Sequence, residues 1–368
     1  MKHLQKQEIL CINSPVSEHI FKDDCIFFDI ETTGFSPTTS ICYLIGTLQK
    51  DGDTILTDQF LAIDKKEEKE VLLSFLDVLK DKSTIITFNG MGFDIPFIEA
   101  KCKLYGIPFD FSCYQYVDIY KLVSEIKFLL KLPNYKQKTL EDFLGIHRND
   151  IFSGGELIAV YEEYAHSKSI ELESLLLLHN YEDVLGMLDL LPILTYHEIL
   201  NGAYHIMYAD TKSYITYEGD TGRELILTLS NTYRVPQQIS HKFGDFYMTI
   251  YGDITKIRIP IYEGELRYFH SNYKDYYYLL KEDVAIHKSV AEYVDKEFRK
   301  PAKAANCYTR KTGGFLPQPD TYISPYFQKE YKDHQTYFEY TDEFISSPEH
   351  LQEYVRNLMK YLLTHKGI

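Results

Sequence analysis

The 368-residue sequence places no C-x-x-C pair and no zinc-ligand spacing among its six cysteines, Cys11, Cys25, Cys42, Cys102, Cys113 and Cys307. That removes disulfide frameworks and zinc modules and leaves reduced thiols that mostly pack. No apolar run is long enough to span a bilayer, because the most apolar stretch, about Leu172 to Leu200, is broken by His179, Glu182, Asp183 and Asp189. The opening MKHLQKQEIL lacks the apolar core of a secretory signal. A cytoplasmic protein that does not enter membranes is therefore expected. A P-loop and a dinucleotide fingerprint are both missing, since Gly154-Gly155 and Gly313-Gly314 lack the required surroundings. There is no internal repeat and no low-complexity linker. Excess positive charge is also lacking: the net charge is -15. Residues 1–200 hold 18 Lys and Arg against 32 Asp and Glu, and residues 201–368 hold 21 against 22. Such a chain meets a polyanion only if cations neutralise its carboxylates or a local positive surface intervenes.

What is present is ample apolar content, 45% of residues, in a chain long enough for two domains. Ile26 to Phe28 reads as a buried strand, followed by Ile41 to Leu48 and Ile55 to Ile63 around the Asp51-Gly52-Asp53 turn. A helix over Glu67 to Leu79, a strand over Ser83 to Phe88, a helix from Asp94 to about Tyr105 stopped by Gly106, and a strand at Tyr116 to Ile119 come next. Helical segments fill most of the rest to about Leu200. Strands alternating with helices after an initial hairpin predict an α/β domain with a mixed sheet in residues 1–200. From residue 201 the pattern becomes strand-rich: Glu224 to Leu229, Phe246 to Tyr251, Lys256 to Tyr262, Glu265 to Phe269 and Tyr276 to Leu280, with Glu263-Gly264 read as a hairpin turn. Helices return at Ser289 to Phe298 and His350 to Thr364. Residues 201–368 are thus expected to form a largely antiparallel β domain with C-terminal helices.

Three stretches carry chemistry. In CIFFDIETTGF, Asp29 and Glu31 stand two apart at the end of an apolar strand and share a face. Two carboxylates there are costly unless a cation sits between them, and a hard divalent ion is the natural partner. In FNGMGFDIPFI a strand ends at Asn89 and a helix opens at Asp94, which serves either as the helix cap or as a ligand. In LLLLHNYEDVLGM, His179 and Asp183 are four apart and share a helical face, while Tyr181 and Glu182 point elsewhere. Asp118, at the end of the fifth strand, is read as structural.

Taken in order, D-x-E, N-x-x-x-F-D and H-x-x-x-D resemble the motifs of the DEDD, DnaQ-like 3'-5' exonucleases, which have a ribonuclease H-like fold. FNGMGFDIPF is similar to the second exonuclease motif of family B DNA polymerases. LPNYKQKTLEDFLGI, followed by Arg148, Asp150, Gly155 and HNYEDVL, resembles the YprB-type ribonuclease H-like subfamily. The resemblance covers about residues 20–200 and does not extend to residues 201–368. It implies that Asp29, Glu31, Asp94 and Asp183 hold two divalent metal ions, Mg or Mn. Asp29 would bridge them, Glu31 and Asp183 would complete one site, and Asp94 would support the other through water. Two cations about 4 Å apart stabilise the attacking and leaving oxygens of a phosphodiester. The implied reaction is hydrolysis of single-stranded ends to nucleoside 5'-monophosphates. One departure stands out: these enzymes carry Tyr four residues, or His five, before the last Asp, and this chain has His179 at the tyrosine spacing. His179 is the candidate to orient or deprotonate the attacking water.

Single-stranded DNA or RNA is the expected partner. Thr32 and Asn89, at the two strand ends, are candidate substrate contacts, although Asn89 reads equally as a structural amide. Lys136 and Lys138 lie in a basic stretch with Lys121, Lys127, Lys131 and Arg148, interleaved with Phe128 and Tyr135; it is either a phosphate surface or a solvated face. In the second domain, His287 to Phe315 carries seven basic residues against three acids. Arg310 and Lys311 there are expected to grip the strand, with Tyr308 and Phe315 stacking bases. Two alternatives remain, a weakly catalytic binding or adaptor module that keeps the fold, and a structure-specific endonuclease.

Overall fold

The computed structural model describes residues 1–12, 14–148, 152, 154–215, 219 and 221–365; Asp150 lies outside the described residues. The chain divides into two compact units, Met1–Glu198 with Tyr233–Gln237, and Ile199–Thr232 with Gln238–Ile368.

In the first unit the elements are β1 (Lys2–Ile9), α1 (Pro15–Ile20), β2 (Cys25–Thr32), β3 (Cys42–Asp51), β4 (Thr54–Leu61), α2 (Glu68–Leu79), β5 (Thr84–Thr87), α3 (Asp94–Tyr105) and β6 (Gln115–Asp118). The helices α4 (Ile119–Glu125), α5 (Lys127–Leu130), α6 (Gln137–Leu144), α7 (Gly154–Ser167), α8 (Ile170–Leu190) and α9 (Thr195–Leu200) follow. The strands form one six-stranded mixed sheet in the order β1-β4-β3-β2-β5-β6. β2 runs parallel to β5 and β5 to β6, while the other pairs are antiparallel. This is the ribonuclease H-like arrangement of a mixed sheet flanked by helices.

The strand β1 escaped the sequence reading. Its residues, KHLQKQEI, are mostly exposed, because it is an edge strand paired on one side only, with β4. No apolar alternation is needed there, so none is written. The central strand behaves otherwise. Ile26, Phe28 and Ile30 join the core with Val71, Leu72 and Phe75 of α2, and the Phe28 and Phe75 rings stand 4.8 Å apart. That period of two turns Phe27, Asp29 and Glu31 to the opposite face, the one α8 covers.

The second unit contains β7 (Tyr204–Ile215), β8 (Thr221–Asn231), β9 (Ile239–Phe243), β10 (Phe246–Tyr251), β11 (Ile254–Phe269), β12 (Tyr276–Leu279), β13 (Val284–His287), α10 (Lys288–Ala291), β14 (Arg299–Pro301), β15 (Tyr308–Gln318), β16 (Thr336–Glu339), α11 (Asp342–Ser346) and α12 (Pro348–His365). Among the described residues every strand pair here is antiparallel. Glu263-Gly264 is not a turn. It lies inside the 16-residue β11, whose first half pairs with β8 and whose second half pairs with β15, Gly264 facing Gly313. Two apolar runs around a glycine look alike whether the chain reverses or merely changes partner strands. The helix expected over Ser289 to Phe298 is reduced to the four residues of α10 and a separate turn at Lys296–Phe298.

Candidate active site

Asp29 and Glu31 end β2, where a bulge between Glu31 and Thr32 breaks the pairing with β3. The chain that follows is pinned by a buried ion pair: Lys101 Nζ stands 2.8 Å from Glu68 Oε1 and also donates to the Ser40 carbonyl, and Glu68 Oε1 accepts the Cys42 N–H at 2.7 Å. Asp94 begins α3 but caps nothing. Its Oδ1 reaches across to accept the Ile30 N–H at 3.2 Å, which ties it to the strand between Asp29 and Glu31. His179 and Asp183 come from one face of α8.

Glu31, His179 and Asp183 meet, and Asp29 and Asp94 lie close enough to share their charge without joining the same ligand cluster. His179 Nε2 lies 3.1 Å from Asp183 Oδ2 and 3.5 Å from Glu31 Oε1. One ligand atom from each of Glu31, His179 and Asp183 lies within 4.8 Å of the other two. Glu31, Asp94 and His179 are buried, while Asp29 and Asp183 are half-buried. Burial, reinforced by Asp183, Asp94 and Glu31, drives the Asp29 carboxyl well above the usual carboxylate range. Burial likewise pushes Asp94 up to about 7, with Asp118 and Asp183 adding to it against the Ile30 N–H. These shifts are the sign of negative charge crowded without enough compensation. The donor set, carboxylate oxygens and one imidazole within ligand range of each other, fits a divalent metal ion.

The site has neighbours whose roles the sequence does not disclose. Asn180, fully buried, donates from Nδ2 to Asp29 Oδ2 at 3.3 Å and accepts from Gln59 Nε2 at 3.0 Å. It sits directly on Gly46 of β3, where an added Cβ would stand 2.1 Å from Asn180 Oδ1. Arg148, read as one cation of a basic stretch, instead ion-pairs with Asp183 Oδ1 and with buried Glu141. Burial alone would raise Asp183, but His179 and Arg148 outweigh it and hold its carboxyl below the usual range. The only advance signal was the Asn-after-His and the Arg in the quoted motifs themselves, which name the residues without their partners.

The other expected contacts are placed as follows. Thr32 Oγ1 donates to the Gly34 carbonyl at 3.0 Å. Asn89 lines a cleft of about 590 Å³ beside Asp29 and Asp94, together with Phe35, Phe88, Phe93, Tyr120, Tyr135 and Lys136. Its N–H is held by Asp118, whose carboxylate also accepts the N–H groups of Met91 and Lys121, a structural clasp. Lys138 Nζ donates to the Phe152 carbonyl at 2.6 Å. In the second unit, Arg310 lies 3.4 Å from Glu265 and Lys311 2.6 Å from Glu339. Tyr181 faces β1, where Lys6 Nζ donates to its hydroxyl at 3.0 Å.

Comparison with known proteins gives this geometry a context. Residues 26–195 match the family model described as RNase_H superfamily. The matched residues lie within the first unit. Within the chain, 101 residues are 30% identical to a DNA polymerase of Methanocaldococcus jannaschii, covering 25% of this chain and 6% of that polymerase. The chain is also similar to the solved family B DNA polymerase of Pyrobaculum calidifontis, at 16% identity and a TM-score of 0.38, over 68% of this chain and 35% of the other. For the zinc-bound complex of E. coli exonuclease I with single-stranded DNA the figures are 14%, 0.29, 57% and 55%. The chain spans only part of each of these proteins. Among the described residues of this chain, no helix is long and apolar enough to cross a membrane.

Proposed function

We propose that residues 1–200 form a divalent-metal-dependent 3'-5' exonuclease that hydrolyses single-stranded nucleic-acid ends to nucleoside 5'-monophosphates. The supporting observation is the cluster of Glu31, His179 and Asp183 at the end of β2, with Asp29 and Asp94 raised by the same crowded charge beside an aromatic cleft, in residues that match an RNase H superfamily model. In this reading the four carboxylates hold Mg or Mn ions, which supply charge compensation at the phosphate and a more acidic water. Asn180 keeps Asp29 aimed by holding Oδ2. Arg148 keeps Asp183 ionised and fixes which of its oxygens faces Glu31. The rings of Phe35, Phe93, Tyr120 and Tyr135 offer faces on which unpaired bases stack, and Lys136 offers a phosphate contact at the same cleft.

The test is degradation of single-stranded DNA and RNA labelled at either end, with Mg or Mn, against Asp29→Asn and Asp183→Asn. Stepwise shortening from the 3' end that both substitutions abolish is expected. Equal activity in parent and variants would reject the assignment, and cuts within a circular strand would replace it with endonuclease action. The ion pair between Arg148 and Asp183 favours a second reading, a binding module whose last carboxylate is satisfied by the protein itself. Tight oligonucleotide binding with no metal-dependent turnover would select it.

For residues 201–368 we propose a nucleic-acid grip. Lys288 and Arg299 stand 5.8 and 4.9 Å from the Tyr277 ring, a mixture of cations and an aromatic face suited to a single strand. Arg310 and Lys311 are ion-paired, so their use would require exchanging acids for phosphates. Charge reversal at both should weaken oligonucleotide binding and flatten its salt dependence; unchanged values would remove them from the interface.

A further inference from the structure

The imidazole of His179 hydrogen-bonds Asp183 and stands close to a second carboxylate, Glu31. Its Nε2 lies between the two, 3.1 Å from Asp183 Oδ2 and 3.5 Å from Glu31 Oε1. Two donors each about 2.1 Å from one ion stand about 3.0 Å apart at a right angle and about 3.4 Å apart at a tetrahedral angle. Both spacings to Nε2 match edges of such a coordination polyhedron, and the three donor atoms together lie within 4.8 Å. The remaining oxygen of Asp183 is taken by Arg148, so this carboxylate presents one oxygen, Oδ2, to the shared space. Asp183 is further fixed through its backbone, whose carbonyl accepts from Gln137 Nε2 at 2.8 Å.

We infer that His179 is a metal ligand, and that Glu31, His179 and Asp183 form a mixed nitrogen and oxygen seat that selects a first-row transition ion such as Mn(II) over Mg(II). The inference deepens the proposed metal-dependent activity and rests on its assignment of Glu31 and Asp183 as ligands. Selectivity follows from ligand chemistry. Mg(II) favours an octahedral shell of oxygens and water, whereas imidazole nitrogen suits the transition ions. A nitrogen committed to a metal has no lone pair with which to take a proton from water. His179 then sets the metal and not the base.

The experiment uses the full chain and the ions alone. Mn(II) and Mg(II) affinities are measured by calorimetry on the parent and on His179→Gln, and the Mn(II) shell is read by pulsed electron paramagnetic resonance, which reports a directly bound ¹⁴N. Expected are ¹⁴N modulation in the parent, Mn(II) binding at least tenfold tighter than Mg(II), and in His179→Gln loss of the modulation with at least a tenfold weakening for Mn(II) but less than threefold for Mg(II). A parent spectrum without ¹⁴N overturns the inference whether or not the variant folds. An Mn(II) affinity in folded His179→Gln within twofold of the parent also overturns it. The two readings separate cleanly. Nitrogen-bound Mn(II) with no cleavage of any oligonucleotide defeats the nuclease and leaves this seat standing, and cleavage with no nitrogen on the ion does the reverse.

Discussion

Replacing Arg148 by methionine is the sharpest probe of how the site is held. The Arg148 side chain is 8% exposed and that of Glu141 only 1%. Arg148 Nη2 donates to Glu141 Oε1 at 2.5 Å, and Nη1 donates to Asp183 Oδ1. Methionine keeps most of the apolar stem but removes the charge, so Glu141 is left as a buried carboxylate with Gln137 Nε2 at 3.1 Å as its remaining neutral donor. Breaking a buried pair from one side costs about 3–5 kcal/mol, because the surviving charge stays desolvated. Asp183 adds little to that sum: it is 19% exposed and keeps His179. Removing both charges together should behave differently, since an apolar pair in the same volume is often neutral. Arg148→Met is therefore expected to cost about 3–5 kcal/mol, and Glu141→Leu with Arg148→Met to recover most of it. Two units make a single global transition unsafe, so the readout is hydrogen exchange of peptides from α6 and α8 across a urea series. An Arg148→Met protein within about 1 kcal/mol of the parent would refute the claim that this pair is buried and committed.

Three further outcomes are expected. Gly46→Ala drives a methyl group to 2.1 Å from Asn180 Oδ1, so Asn180 must turn away from Asp29; a cost of about 1–3 kcal/mol and weaker Mn(II) binding should appear in denaturation and calorimetry, and parent-like values in both would contradict it. Asp29 and Asp94 have folded pKa values raised above their unfolded ones, Asp94 to about 7, so the metal-free protein binds protons more tightly folded than unfolded and loses stability as pH climbs from about 4 to 7, by at most about 4 kcal/mol from Asp94. Mn(II) should consequently raise the melting temperature more at pH 8 than at pH 6, and equal shifts would tell against crowded carboxylates. Lys101→Met leaves Glu68 as an unpaired charge that is 1% exposed; a loss of about 3–5 kcal/mol is expected in hydrogen exchange of α2 and α3 peptides across a urea series, and a loss below about 1 kcal/mol would mean that Glu68 is satisfied by the Cys42 N–H and the Tyr105 hydroxyl alone.

The sequence disclosed those parts of the fold in which local chemistry and long-range packing ask for the same residues. Ile26 to Ile30 is apolar because β2 is central and one of its faces meets α2, and the two carboxylates break the pattern where the strand must end. α3 stops at Gly106, which adopts φ 64, so that end is written locally, whereas Asp94 at its start gives its carboxylate to the distant Ile30 N–H. Where a residue's role depends on a partner far along the chain, the sequence is mute. Nothing local tells that Asn180 rests on Gly46, 134 positions earlier, or that Arg148 spans Glu141 and Asp183 when its neighbours read as an ordinary basic surface. The edge strand β1 and the partner exchange within β11 were hidden for the opposite reason, because a polar edge and a glycine between apolar runs each fit more than one backbone path.

The residues that were hidden explain one that was plain. At the spacing of four, His179 and Asp183 stack on one face of α8, and an imidazole is shorter than a phenol, so it reaches Glu31 only if the helix lies close to the sheet. Gly46 permits that approach: without a Cβ it lets the Asn180 side chain lie flat against β3, while Asn180 pairs both ends of its own amide, with Gln59 and Asp29. Farther along α8, on the face that carries His179 and Asp183, Gly186 does the same for the Arg148 arm, since a Cβ there would meet Glu141 Oε1 at 2.3 Å. Two glycines, one on the sheet and one on the helix, thus set the depth at which His179 and Asp183 are delivered to Glu31. A larger residue at either position would move the donor atoms before it touched any of them. The pattern of three acidic motifs is accordingly only half of the site, and the spacing between α8 and the sheet, fixed by side chains that are absent, is the other half.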